Sequence, residues 1–363
     1  MVSAWTSNRD NTVRGLPAIP VVHLPAGGTY VALGDSYSAG EGLSPYLAPT
    51  ADFSAGGNDC HESDSAYSER LHFQTADGRP VHLDFVACSG ARIANSFQFK
   101  QNPSSPRPDA PQVGDPGGSG STAAPGYRFT GHEHLVTLTM GGHDAHFSDV
   151  LQFCVVHDCL TEPFGATPGP DEPSSIRTPK PLAAWAASLF PTLSGELQTL
   201  YRRLRADAGP DARIVAVGYP QLFPDRDTAG GTSCTALLSR VTRPERELLR
   251  QLEATLDDDI YHAATAAGIE YVDPNGLWAG HEACGSKGQL IHAVPPSASG
   301  FVSRGAFHPT RQGQGLLAYT VACYLDQYPH ALNPHLPQGG RTGATELEPA
   351  PGTAQNQLRC KTS

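Results

Sequence analysis

Five short apolar runs interleaved with helix-like stretches predict an α/β fold, a parallel sheet covered by helices on both faces and interrupted by long loop insertions. The runs are residues 30–33 (YVAL), 81–87 (VHLDFVA), 134–140 (HLVTLTM), 213–219 (RIVAVGY) and 269–272 (IEYV). Three stretches have helical character: residues 182–208, 242–267 and 309–328. The first three runs each end in a glycine-bearing turn, at the strand end where open parallel sheets gather their chemistry.

The order of elements starts at residues 29–42, TYVALGDSYSAGEG. Residues 30–33 read as a buried strand, and Gly34 lets the chain turn sharply enough to leave Ser36 at its C-terminal end. Residues 1–28, polar and proline-containing, read as a lead-in that lies on the surface. Residues 63–73 read as a short helix. Residues 81–87 alternate apolar and polar side chains as a strand does, and run into Cys88, Ser89, Gly90, Ala91 and Arg92. The strand at 134–140 runs into Gly141, Gly142, His143 and Asp144.

Residues 182–208 read as a helix that Pro191 should kink or divide. Residues 242–267 carry the strongest helix signal. Thr242 and Glu245 have the spacing of a capping box, Pro244 sits in the first turn, and Leu248, Leu252, Leu256 and Ile260 recur every four residues. That stripe is expected on the sheet, with Gly268 ending the helix. The last helix spans 309–328. The organisation expected is a lead-in (1–28), one catalytic domain (29–330) and a Pro/Gly-rich tail (331–363). Loops at 44–58, 100–126, 160–180 and 285–304 are expected to shape a substrate cleft.

Composition narrows the function. A net charge of −11 disfavours nucleic acid as a partner, because phosphate binding needs a basic face. No run of 18 or more apolar residues offers a membrane span. With 32 prolines, 38 glycines and only 17% charged residues, the chain suits a rigid exported protein. Its eight cysteines (Cys60, Cys88, Cys154, Cys159, Cys234, Cys284, Cys323 and Cys360) are even in number and dispersed, which favours disulfides over a metal cluster. The opening residues, MVSAWTSNRDNTVRG, contain no basic segment followed by an apolar core. The expectation is a secreted protein whose leader is absent from this sequence, or a piece of a longer chain.

Four groups stand out as chemistry: Ser36, Gly90, His143 and His308, the last in Gly305-Ala306-Phe307-His308-Pro309. Gathered at one sheet edge they would supply a nucleophile, a backbone N–H donor, a side-chain donor and a base. Serine is also common in turns for local hydrogen bonding, so Ser36 alone decides nothing. The four blocks together, GDSYSAGEG, ACSGAR, LTMGGHDAHF and AFHP, resemble those of the SGNH or GDSL hydrolases in content and order. VGYPQLFP and LWAGHEACGS are similar to the actinobacterial extracellular branch, and the resemblance covers about residues 29–326.

The resemblance implies a flavodoxin-like three-layer sandwich with a five-stranded parallel sheet. It also implies hydrolysis of carboxylic esters by an esterase or lipase with Ser36 as nucleophile and His308 as general base. An oxyanion hole would combine the N–H groups of Ser36 and Gly90 with the side chain of His143. No cofactor or metal is implied. The expected partner is a small-molecule or lipid ester, and a monomer is expected.

Two departures from the family pattern carry consequences. His143 stands where the family has asparagine, and is expected to serve as oxyanion donor in a protonation-dependent way. Gly305 occupies the position of the acid three residues before the base. The Gly305 carbonyl is therefore expected to orient His308, making a dyad, with Asp144 and Asp273 as remote alternatives. Acyl transfer, a non-hydrolytic elimination, and lipid or glycan binding without turnover remain alternatives.

Of the lesser signals, Cys154, His157 and Cys159 could join His143 and His146 at a metal, but the spacing is wrong for common zinc patterns and a short disulfide is preferred. The resemblance pairs Cys60 with Cys88, Cys154 with Cys159 and Cys234 with Cys284, which leaves Cys323 for Cys360. His61, His132, His134, His146 and His281 read as surface or core histidines, Asp35 as a structural acceptor and Arg92 as a loop support. Trp185 and Trp278 read as packing residues before pocket residues.

Overall fold

The computed structural model describes residues 18–55, 57–98, 111–114, 126–168, 172–224, 240–292 and 304–329. The expected tail, most of the loops at 100–126 and 285–304, and Cys234 and Cys360 lie outside these residues.

Among the described residues seven strands are formed: β1 (Val21–Leu24), β2 (Thr29–Gly34), β3 (His72–Thr75), β4 (His82–Phe85), β5 (Leu135–Thr139), β6 (Arg213–Val217) and β7 (Glu270–Val272). Five make the main sheet in the order β4-β2-β5-β6-β7, every pair parallel. This is the doubly wound order of flavodoxin-like folds, and it reverses between β2 and β5. Tyr30, Val31, Ala32 and Leu33 are buried, which explains why this run is apolar without alternation.

The helices are α1 (Ser36–Ala39), α2 (Phe147–Val156), α3 (Leu182–Ala208), α4 (Arg243–Ala266), α5 (Asn275–Trp278) and α6 (Arg311–Gln327). The crossovers β5-α3-β6 and β6-α4-β7 bring α3 and α4 together on one face of the sheet. On the other side α6 packs against β1, β7 and the turn at Ser68–Arg70.

Several expectations are corrected. Residues 63–73 form no α-helix, only a 3-10 turn at Ser68–Arg70 followed by β3. The lead-in contains β1, which pairs in parallel with β3, so a partner 51 residues away decides both segments. Pro191 does not divide α3, because Leu189, Phe190, Leu193 and Leu197 are buried around it and hold the helix together.

The capping box of α4 is formed, Glu245 accepting from Thr242 N at 2.6 Å and Oγ1 at 2.7 Å, and Gly268 follows the helix at φ +69°. Its inward stripe is different from the expected one. Leu256 and Ile260 are buried, but Leu248 and Leu252 only partly, and Leu249, Glu253, Asp257, Ala263 and Ala264 fill the face. The carboxylates there are loop clamps: Glu253 accepts from Leu222 N at 3.0 Å and Asp257 from Tyr219 N at 2.8 Å. A period of four cannot reveal this, because charged side chains on a helix are normally outward.

Candidate active site

Gly34 closes β2 at φ +128°, a conformation that an L side chain rarely adopts, and a Cβ there would lie 2.4 Å from Ser38 Oγ. Gln112 clasps this residue from both sides, accepting from Gly34 N at 2.8 Å and donating to Gly34 O at 2.6 Å. Asp35 then caps α1, its Oδ1 accepting from Tyr37 N at 3.0 Å and Thr139 Oγ1 at 2.7 Å. Its Oδ2 accepts from Tyr219 OH, which itself accepts from Gly142 N at 2.9 Å. Asp35 thus ties the Ser36 turn to the turn after β5, the structural part expected of it. Burial pushes its carboxyl up to about 6, against the pull of these hydrogen bonds.

Ser36 is the first residue of α1, and its Oγ lies 2.7 Å from His308 Nε2. His308 is buried, and its Nδ1 lies 3.0 Å from the carbonyl oxygen of Ala306. That bond fixes the tautomer: the N–H is on Nδ1 and the lone pair of Nε2 faces the seryl hydroxyl. The orienting carbonyl therefore belongs to Ala306, correcting the expectation of Gly305. The reason is the turn itself. Phe307 adopts φ +60°, and the Gly305 carbonyl is taken by the backbone N–H of His308 at 3.2 Å.

The remote acids are elsewhere. Asp144 accepts from Ile93 N at 3.0 and 3.1 Å, and burial raises its carboxyl to about 8. Asp273 accepts from Asn275 N at 2.8 Å at the start of α5. Neither carboxylate is bonded to His308.

The Gly90 turn follows β4, with Gly90 at φ +73° and Ser89 N donating to Cys60 O at 2.9 Å. Among the described residues neither the N–H of Ser36 nor that of Gly90 donates to a protein acceptor. His143 stands in the turn after β5, half-buried, its carbonyl accepting from His146 N at 3.1 Å. Ser36, Gly90 and His143 thus follow three adjacent strands at the C-terminal edge, beside the point where strand order reverses.

Burial lowers the His308 imidazole below its ordinary range and His292 adds to this, while the Glu41 carboxylate and the Ala306 carbonyl oppose it. Several supporting side chains carry no signal in the sequence. Tyr37 OH donates to Phe307 O at 2.6 Å, its ring tilted against that of His308 at 5.1 Å. Glu41 is buried and reaches Ser89 Oγ at 2.5 Å and His61 Nδ1 at 2.7 Å. Gln112, Tyr219 and Glu41 each join segments distant in sequence, which no local pattern records.

Cys60 is bonded to Cys88 and Cys154 to Cys159, so the cysteines of the metal alternative are oxidised and cannot ligate. His146, the other part of that alternative, is buried between Asp149 and Glu172, each at 2.8 Å. Arg92 pairs with Glu172 and so supports the same loop. Cys284 and Cys323 are also disulfide-bonded. Trp185 and Trp278 are buried in the core, Trp185 donating to Ile176 O at 2.9 Å.

His61 is buried, His134 accepts at Nδ1 from Thr29 N at 3.3 Å, and His281 Nδ1 lies 2.8 Å from Gly288 O. Asp52, Asp59 and His61 bring potential metal-ligand atoms within 4.8 Å of one another, but the two ring nitrogens of His61 already face Glu41 and Asp52.

A seryl hydroxyl thus lies against an imidazole at this edge of a doubly wound parallel sheet. The model of the GDSL-like lipase/acylhydrolase family matches residues 32–316. Lipase 2 of Streptomyces coelicolor is 32% identical over 260 residues, which are 71% of this chain and 74% of that protein. Lipase 1 of the same organism is 27% identical over 289 residues, 78% of this chain and 82% of its own. An extracellular lipase from Streptomyces rimosus has the same fold, with a TM-score of 0.53 at 21% identity over 83% of this chain and 99% of that one. So does phospholipase A1 from Streptomyces albidoflavus NA297, with a TM-score of 0.51 at 24% identity, covering 83% of this chain and 98% of that one.

The chain belongs to the GDSL-like lipase/acylhydrolase family and is a carboxylic ester hydrolase. Among the described residues no helix is long and apolar enough to cross a membrane.

Proposed function

We propose that this chain is an exported esterase or lipase that works through an acyl-enzyme on Ser36, with His308 as its general base. The single observation that carries the reading is the 2.7 Å contact between Ser36 Oγ and His308 Nε2, with Nδ1 occupied by Ala306 O. As Ser36 Oγ attacks the ester carbonyl, Nε2 takes its proton, and the imidazolium later returns a proton to the leaving alkoxide. A water activated by the same nitrogen then releases the acid. The oxyanion of each tetrahedral intermediate would be met by the N–H groups of Ser36 and Gly90, both without a protein acceptor, and by the imidazole of His143. No cofactor takes part in these steps.

The disulfides and the extracellular lipase named above support an oxidising, exterior setting for a single catalytic domain. The lipases and the phospholipase among its relatives make lipid esters the substrate class to try first.

The test is mass-spectrometric detection of a fluorophosphonate adduct on Ser36, beside p-nitrophenol release from short and long acyl esters. Wild type should label and turn over, whereas Ser36→Ala should do neither. His143→Asn, the residue usual at this position, should keep activity within about tenfold but lose any pH dependence owed to the imidazole, since loss of a real donor costs about 10²-fold or more. Ester hydrolysis that persists in Ser36→Ala would overturn the reading.

A further inference from the structure

The site has a base without a carboxylate partner, yet a buried carboxylate lies one turn beyond the nucleophile. Glu41 N donates to Ser36 O at 3.0 Å, so its backbone is part of the nucleophile turn. Its side chain is 4% exposed. Oε2 accepts from Ser89 Oγ at 2.5 Å and faces His61 Nδ1 at 2.7 Å, while Oε1 accepts from Tyr46 OH at 3.0 Å and Gly42 N at 3.2 Å. Ser89 immediately precedes Gly90, and the Cys60–Cys88 disulfide holds the same turn. Gly42, the residue after Glu41, packs so closely on the His308 turn that a Cβ there would lie 2.9 Å from Gly305 Cα. Glu41 therefore belongs to the nucleophile turn through its backbone, its carboxylate meets the Gly90 turn through Ser89, and the residue after it packs on the base turn.

We propose that Glu41 is a positioning residue for catalysis: its carboxylate fixes the Gly90 turn through Ser89, and its charge supports the imidazolium that forms on His308 in the transition state. This inference rests on the Ser36–His308 reading. A dyad oriented by a carbonyl offers only a dipole to a forming cation, and a full negative charge behind the site offers more.

The surrounding charges agree in sign. Hydrogen bonds from His61 and Ser89 hold the Glu41 carboxyl down to about 2, against the effect of burial, so it is anionic throughout the working pH range. His61 also faces Asp52 at 3.1 Å, and Asp59 lies 3.9 Å from Arg304. With His61 protonated, three carboxylates stand against two cations, and the cluster still carries net negative charge. His292 is the other titratable group felt by His308, and it acts in the opposite direction. The neutral Tyr37 ring also lies against the imidazole, 5.1 Å between centroids.

The experiment compares wild type, Glu41→Gln, Ser89→Ala and Ser36→Ala on a soluble p-nitrophenyl ester across pH, with near-ultraviolet circular dichroism to establish folding. Glu41→Gln keeps the shape and removes the charge. It should lower kcat about 10- to 100-fold with little change in KM, and move the acid limb of kcat/KM to lower pH by about half a unit. Ser89→Ala keeps the charge and removes the tie, so kcat should fall several-fold with the acid limb unmoved.

A folded Glu41→Gln whose acid limb coincides with wild type overturns the electrostatic part. Wild-type kcat in Ser89→Ala overturns the positioning part, and this arm decides even where Glu41→Gln does not fold. Activity in Ser36→Ala is the separate outcome that removes the underlying dyad.

Discussion

Removing the Tyr37 hydroxyl tests how the base is held. Phe307 is a bulky residue at φ +60°, which costs on the order of 1–3 kcal/mol and persists only where surrounding bonds enforce it. Three bonds do so: Tyr37 OH to Phe307 O at 2.6 Å, Phe307 N to His292 O at 2.8 Å, and His292 N to His308 O at 2.8 Å. Burial raises the phenol well above its ordinary range, so it remains a donor at every working pH. Tyr37→Phe keeps the ring against Tyr219 and His308 and removes the hydroxyl alone.

An unpaired buried acceptor costs about 1–3 kcal/mol, and if all of it appears as displacement of His308, kcat/KM falls by about 5- to 150-fold. Thermal stability should fall by on the order of 3 °C. Fluorophosphonate labelling of Ser36 should slow in parallel with ester turnover, since both need the same proton acceptor. A variant with wild-type labelling rate, turnover and melting temperature would refute the argument that this bond holds the base turn.

Two further outcomes follow from the same geometry. Burial disfavours the charged His308, so the acid limb of kcat/KM should lie below the ordinary histidine value of about 6.5. The linked stability has the matching sign: it is fully present above the unfolded value and is lost as pH falls through the folded one, because the unfolded chain binds the proton more readily. A limb at or above 6.5 in a pH profile of both wild type and His143→Asn would contradict this. Gly34→Ala should abolish soluble active protein, because its Cβ would meet Ser38 Oγ at 2.4 Å and Thr139 O at 2.7 Å at φ +128°. Recovery of a folded variant with normal turnover would show that the turn can open, against the clasp described for Gln112.

The sequence by itself determined the sheet and set Ser36, Gly90 and His143 after its strands. A parallel strand buried on both faces is a continuous apolar run, so residues 30–33 announce themselves, and glycine must stand where Gly34 and Gly90 turn. Helix α4 was likewise legible from its capping box, which is a local device. Tertiary structure decided what local pattern cannot hold. β1 and β3 exist because they pair with each other, and the inward acids of α4 because loops bring donors to them.

At the site, Ser36 and His308 could be read as types, but the contact between them joins residues 272 apart and depends on the chain's path. The choice of Ala306 over Gly305 as orienting carbonyl depends on one positive φ at Phe307, a backbone state that the tertiary bonds of Tyr37 and His292 enforce. Glu41 sat in plain view within GDSYSAGEG, and only the folding of Ser89 and His61 around it brought its carboxylate against the Gly90 turn.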